Sequence, residues 1–366
     1  MTRAKQAKAK KRLQTVRDYE RAARETLTKN AYDYFRSGSD SERALSRNER
    51  AYRRLAIWYR VLVDVAERDI STEVLGFRIQ TPIMIAPTAY HKLAHADGEL
   101  ATARAAAAMG TIYVASTLAT TSLEEVAEAS SAPKWFQLYV HKDRDFTRAL
   151  VERAETAGYD ALVVTVDTPL LGRRVRDERN RFELPVGMSM ANLVDALADK
   201  PDDGSSLSSY VAQRHDASFT WADLAWLRSL SHLPIVLKGI VRVDDALRAC
   251  DEGVAGIIVS NHGGRQLDSS PATLDALPAI ADAVGARAEV YVDGGIRWGG
   301  DVFKAIAFGA RAVLVGRPVL WGLAVGGEAG AFDVLRLLTE DLSRTMALAG
   351  CPTLADIERS MVARAE

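Results

Sequence analysis

From Pro82 onward the chain alternates short apolar runs with longer amphipathic stretches. The runs are Ile83 to Ala86, Ile112 to Ala115, Trp135 to Leu138, Leu162 to Val166, Ile235 to Leu237, Gly256 to Val259, Val290 to Val292 and Ala312 to Val315. They are rich in β-branched residues and show no alternating polar face, which is the pattern of strands buried on both sides. Gly110, Gly158, Gly253, Gly285 and Gly309 each stand just ahead of a strand, where a helix ends on a left-handed cap. Ser122 with Glu125, and Thr220 with Asp223, have the capping-box spacing that opens a helix. Eight such βα units over roughly 250 residues predict an α/β fold, a closed (β/α)8 TIM barrel, with a doubly wound sheet in two halves as the alternative.

Ahead of the repeat, residues 16 to 59 read as a helical preface. Tyr19, Ala22, Ala23 and Thr26 share one face, then come Ala31, Tyr34 and Phe35, and Ser37-Gly38-Ser39 makes a break. Residues 59–65 and 71–77 read as extended connections. The expected organisation is one barrel domain with its helical preface over residues 16–366, preceded by a tail over residues 1–15. The irregular interval from Asp167 to about Ser218 contains Gly204-Ser205-Ser206 and Ser208-Ser209, and is expected to be a long, mobile loop after the fourth strand that covers the barrel mouth.

The formal net charge of the 366 residues is -1, so no global field invites nucleic acid or a membrane surface. The exception is the tail, where Arg3, Lys5, Lys8, Lys10, Lys11 and Arg12 form a basic run expected to be solvated and disordered. No apolar segment follows it as in a secretory signal, and no stretch approaches the ~20 apolar residues of a membrane span. Cys250 and Cys351 lie far apart without a disulfide or zinc pattern, and a reducing cytoplasm is expected.

In barrels of this kind, function gathers at the carboxyl ends of the strands. The richest end is Ser260-Asn261-His262-Gly263-Gly264-Arg265-Gln266-Leu267-Asp268. A proton acceptor close to a guanidinium suits chemistry at the carbon next to a carboxylate, although His-Gly-Gly-Arg alone is equally a capped turn. The other ends supply Pro87, Thr88, Ala89, Tyr90 and His91; Ser116; Gln137 and Tyr139; Thr165 and Asp167; and Lys238. Asp293-Gly294-Gly295-Ile296-Arg297 and Gly316-Arg317 close the series, with glycine backbone and guanidiniums where such barrels hold a phosphate. Lys238 admits three roles: Schiff base, phosphate ligand, or a cation beside an electron-rich ring. Asp167 admits metal ligand, base, or partner of an imidazolium. No His-x-His or paired-carboxylate spacing appears, so no metal is expected.

Together these residues resemble the FMN-dependent α-hydroxy acid oxidase and dehydrogenase family. The resemblance runs from about Tyr32 to Cys351. It rests on the Ser260 to Asp268 stretch, Tyr32-Asp33-Tyr34, Ala86-Pro87-Thr88-Ala89, Phe136-Gln137-Leu138-Tyr139, Thr165-Val166-Asp167-Thr168-Pro169, Leu171-Gly172-Arg173-Arg174, Asp293-Gly294-Gly295 and Val315-Gly316-Arg317-Pro318. The resemblance implies FMN as cofactor and oxidation of an (S)-2-hydroxy acid. It makes His262 the proton acceptor and Asp167 its partner. Arg265, Arg174 and Tyr34 become ligands of the substrate carboxylate, and Tyr139 a ligand of its hydroxyl. Lys238 is placed near the flavin's developing negative charge. Pro87, Thr88, Ala89, Ser116, Gln137, Thr165 and Ser260 fall around the ring and ribityl chain, with Asp293, Gly294, Gly295, Arg297, Gly316 and Arg317 at the phosphate end.

Two positions depart from glycolate oxidases, which carry tryptophan and methionine where this chain has Leu118 and Tyr90. The smaller wall implies lactate or a larger 2-hydroxy acid over glycolate, with a mandelate-type or broad-range oxidase as the alternative. Ala89 is similar to the oxidases, which points to O2 as acceptor and hydrogen peroxide as product rather than electron transfer to a quinone. The family analogy also implies a homotetramer. A phosphate-binding isomerase or aldolase using Lys238 is the reading from another class.

Overall fold

The computed structural model of the chain describes residues 13–193 and 214–365. Residues 1–12 of the basic tail and the Gly204 to Ser209 stretch lie outside the described residues. Leu13 already packs against the core, and the Thr15 side chain accepts from Asp18 N to start the first helix.

Eight strands form the expected closed parallel barrel. They are β4 (Ile83–Ile85), β5 (Tyr113–Ser116), β6 (Lys134–Leu138), β7 (Ala161–Thr165), β8 (Ile235–Ile240), β9 (Gly256–Val259), β10 (Glu289–Asp293) and β11 (Ala312–Val315). Each pairs with the next, and β11 returns to β4. All five of the glycines expected as caps do take a positive φ. Both capping boxes are present, the second on a single 3-10 turn at Trp221–Asp223.

The strands are apolar on both faces because each face meets a different core. One set, including Met84, Val114, Trp135, Val163, Val236, Ile258, Tyr291 and Leu314, fills the barrel interior, where Trp135 and Tyr291 meet edge to face at 5.6 Å. The alternate set packs outward against the helices. The longest of these, Arg317–Ala349, bends at Gly326 and Gly327, whose dihedrals leave the helical region. Among the described residues, no helix is long and apolar enough to cross a membrane.

The preface is three helices, α1 (Val16–Thr26), α2 (Lys29–Arg36) and α3 (Arg43–Arg53), broken where Ser37-Gly38-Ser39 was expected to break it. It ends earlier than expected, because β1 (Leu55–Ile57) pairs antiparallel with β12 (Val362–Arg364) and ties the two ends of the fold together. The second extended connection is also more than a connection. β2 (Thr72–Val74) and β3 (Phe77–Ile79) form a hairpin, and Val74 and Ile79 are buried against the interior set of barrel residues.

Candidate active site

The loop after β9 is the joint on which the mouth is assembled, and nearly every polar side chain in it has a partner. Ser260 Oγ accepts from Lys238 Nζ and from His262 N, both at 3.0 Å. Asn261 and Asn48 of α3 bond reciprocally at 2.8 Å. His262 itself is left-handed at φ 59, followed by Gly263 at 62 and Gly264 at 73. A non-glycine residue held there stores strain, and the surrounding bonds keep it in place. A Cβ on Gly264 would collide with the Leu45 backbone, so this glycine is what lets α3 dock. Gln266 Nε2 donates to the carbonyls of Asp167 and Leu170 at 2.8 Å, pinning the loop after β7. Asp268 accepts from the amides of Ser41 and Ala44 at the start of α3, where the helix dipole favours a carboxylate.

That scaffold brings His262 Nδ1 within 2.8 Å of Asp167 Oδ1. Gly239, at φ 116 beside a bulge between β8 and β9, leaves the space into which the Asp167 side chain fits. Burial lowers the basicity of His262, against the opposing charge of Asp167, so the imidazole rests neutral below its ordinary 6.5. Burial alone would raise Asp167, but His262 and Lys238 outweigh it and hold the carboxyl below its usual range. Lys238 is fully buried, which works to lower its pKa, yet Asp293 at 3.1 Å and Asp167 hold it above the ordinary value and keep it charged. Tyr139 is raised by burial and by Asp167, so its hydroxyl stays neutral.

One cavity, with about 1120 Å³ of empty space including its open mouth, collects these groups. Its walls carry five cations, Arg174, Lys238, Arg265, Arg297 and Arg317, against one carboxylate, Asp293, so the electrostatics favour anionic occupants. Arg317 directs three of its five N–H donors to the carbonyls of Phe35, Gly263 and Ser37. Burial and then Arg265, Arg297, Arg36 and Arg174 push it well below an ordinary guanidinium. Arg174 is pushed down to about 9, by burial first and then by Arg265. Arg265 holds the Tyr34 and Ser37 carbonyls at 2.6 and 2.9 Å while lying over the Tyr34 ring at 5.0 Å. The C-terminal carbonyls of α2 thus fix two cavity arginines, and α2 brings Tyr34 to the cavity wall.

Most of the expected site residues meet here: Tyr34, Pro87, Thr88, Ala89, Ser116, Leu118, Gln137, Tyr139, Thr165, Arg174, Lys238, His262, Arg265, Asp293, Gly294, Gly295, Arg297, Gly316 and Arg317 all line the cavity. Two do so only indirectly, Asp167 through His262 and Ser260 through Lys238 and the His262 amide. Tyr90 is a correction. It is not among the residues that line the cavity; its backbone is left-handed, φ 63, and its ring packs against Tyr34 with centroids 5.4 Å apart. Its hydroxyl reaches Met190 Sδ at 3.5 Å. Tyr90 therefore backs Tyr34 and does not border the cavity.

His215 lines the cavity as well, although no motif or periodicity singles it out. Its ring stacks on Tyr139 with centroids 4.5 Å apart.

Comparison with known proteins agrees with this fold. Residues 23–364 match the FMN-dependent dehydrogenase family. The chain is 54% identical to L-lactate oxidase of Nostoc sp., over 94% of this chain and 96% of that protein. It is 50% identical to 2-hydroxyacid oxidase 1 of Homo sapiens, over 96% of each. Among solved structures, a mandelate oxidase with (S)-4-hydroxymandelic acid superposes with a TM-score of 0.90 at 44% identity, covering 95% of this chain and 98% of that one. A match that runs from α1 to β12, with relatives sharing half or more of their aligned residues, carries one conclusion: the chain belongs to the FMN-dependent dehydrogenase family.

Proposed function

We propose that this protein oxidises an (S)-2-hydroxy acid to the 2-oxo acid, with O2 as final acceptor and hydrogen peroxide as product. The observation that carries the reading is the partly buried Asp167–His262 pair, 2.8 Å apart, whose imidazole shares one cavity with Arg174 and Arg265. The substrate carboxylate binds Arg174, Arg265 and Tyr34, and the Tyr139 hydroxyl bonds the substrate oxygen. His262 accepts the proton from the substrate at Nε2, since Nδ1 is held by Asp167. The resulting imidazolium gains the Asp167 charge at contact distance. Arg265 cannot drift, because the α2 carbonyls hold it.

The cavity suits FMN on three observations. Gln137 Nε2 is a buried donor with no partner among the described residues, while its Oε1 is taken by Ser116 Oγ and Thr117 N. Lys238 stays charged at the strand ends. Arg317 and Arg297 line the cavity with Gly294, Gly295 and Gly316, a combination that fits a phosphate. Pro87, Thr88, Ala89, Ser116 and Thr165 complete the proposed cofactor wall. When bound, FMN supplies the two-electron acceptor for the substrate.

For substrate size, Leu118 is the wall residue that matters, since it lines the cavity and Tyr90 does not. A leucine there leaves room beyond the substrate's second carbon, which favours lactate or a larger acid over glycolate. Among the relatives, L-lactate oxidase of Nostoc sp. is 54% identical and glycolate oxidase 1 of Oryza sativa 50%, so the size argument rests on Leu118. A cytoplasmic homotetramer, with the chain from residue 16 acting as one catalytic unit, completes the proposal; the two unpaired cysteines fit a reducing compartment. Peroxide formation from glycolate, (S)-lactate and (S)-mandelate in air is the test. The expected result is turnover with either larger acid above that with glycolate. Glycolate as best substrate contradicts the size argument, and flavin that reoxidises with a quinone but not in air contradicts the acceptor.

A further inference from the structure

Five groups around the reacting carbon have tasks under the proposed function: His262 takes the proton, Arg174, Arg265 and Tyr34 hold the carboxylate, and Tyr139 holds the oxygen. The remaining substituent on C2 must face what is left of that end of the cavity, which is Leu118, Thr168, Leu171 and His215. Leu118 and Leu171 are apolar. Thr168 is turned to the catalytic pair, with its Oγ1 3.1 Å from Asp167 Oδ1 and 3.4 Å from His262 Nδ1. His215 is the one ring in that group.

The placement of His215 is built. It forms an antiparallel bridge with His141, in the segment that leaves β6. Lys142 N donates to Arg214 O at 2.9 Å and Asp216 N donates to Val140 O at 3.0 Å, closing the bridge on both sides. Asp216 then pairs with Arg144 at 2.6 Å. The imidazole bonds the Thr168 backbone and stacks on Tyr139 with rings 26° apart. Burial pushes it down to about 4, so it is a neutral ring at neutral pH. A neutral, rigidly held ring offers no charge for a second carboxylate. It does offer a π-surface or edge to another ring, and such contacts are favourable in either stacked or edge-on form.

We propose that His215 is a specificity-determining residue that selects 2-hydroxy acids whose C2 substituent carries an aromatic ring over saturated substituents of the same size. The proposal rests on the substrate orientation given above. The experiment compares (S)-mandelate with (S)-hexahydromandelate, which differ only in saturation of the ring. It also compares equilibrium binding of their 2-oxo acid products, phenylglyoxylate and cyclohexylglyoxylate, by perturbation of the flavin spectrum in the oxidised holoenzyme.

Intrinsic reactivity and hydrophobicity of the two ligands cancel when each aromatic-to-saturated ratio is divided by the same ratio in a variant. In His215→Leu, or His215→Met should that chain not fold, both ratios are expected to fall about fivefold. In His215→Phe, which keeps a ring, they are expected to stay within twofold of wild type. Ratios unchanged in His215→Leu, or lost equally in His215→Phe, overturn the proposal. If the wild type oxidises neither of these acids nor (S)-lactate, the oxidation reading itself fails, and the product-binding ratios still decide the role of His215.

Discussion

Replacing His262 with alanine is expected to slow substrate-driven flavin reduction by about 10⁴-fold, the upper end of what a positioned general base contributes, while the protein remains yellow. The two halves of this expectation have separate causes. The imidazole is the proposed proton acceptor, held by Asp167 at 2.8 Å and supported at its own amide by Ser260. The groups proposed to hold the cofactor, Lys238, Gln137, Arg297 and Arg317, keep their positions through contacts that do not involve the ring. Anaerobic stopped-flow reduction measures the first half and flavin content the second. A near-normal rate would show that another group takes the proton.

The second large effect is expected at Asp167. Asparagine there is nearly isosteric and can still accept from His262 Nδ1, so the ring keeps its orientation and loses only the charge beside it. The imidazolium formed during turnover is then uncompensated in a buried site, and the plateau of kcat/KM should drop by about 10²-fold or more. The pH dependence fixes the sign. Activity needs neutral His262, so kcat/KM falls as pH drops through the His262 pKa, which burial has already placed below 6.5. Asp167 raises that pKa, and removing its charge lowers it further. The acid limb of the Asp167→Asn profile should therefore move to lower pH, not higher. A limb that moves upward, or a plateau equal to wild type, would mean that Asp167 acts in some other way.

The barrel was legible because its strands are buried on both faces. Runs such as Gly256-Ile257-Ile258-Val259 have no polar positions to blur them, and the glycines before five of the eight strands take the positive φ that other residues rarely adopt. Once the topology is fixed, the strand ends converge by geometry, which is why most of the expected site residues share one cavity.

What the sequence hid follows from backbone conformations that residue type does not announce. The β2–β3 hairpin turns on Leu75 and Gly76, at φ 45 and 82, and leucine at the first of these positions gives no turn signal. Tyr90 sits next to cavity residues in sequence and has a left-handed φ, yet its ring lies against Tyr34 and not among the residues that line the cavity. His215 belongs to a segment without helical or strand period, and reaches Tyr139 only through the bridge with His141. The pairing of β1 with β12 joins three-residue segments from opposite ends of the fold, too short for periodicity to mark.

The most direct test of the account is the visible spectrum of the purified protein, recorded without oxygen before and after adding (S)-lactate and then, if lactate is slow, (S)-mandelate. A His262–Asp167 pair working beside FMN predicts oxidised-flavin absorption that bleaches with one equivalent of substrate and returns when air is admitted. A protein that carries FMN yet keeps its oxidised spectrum with both acids would contradict it.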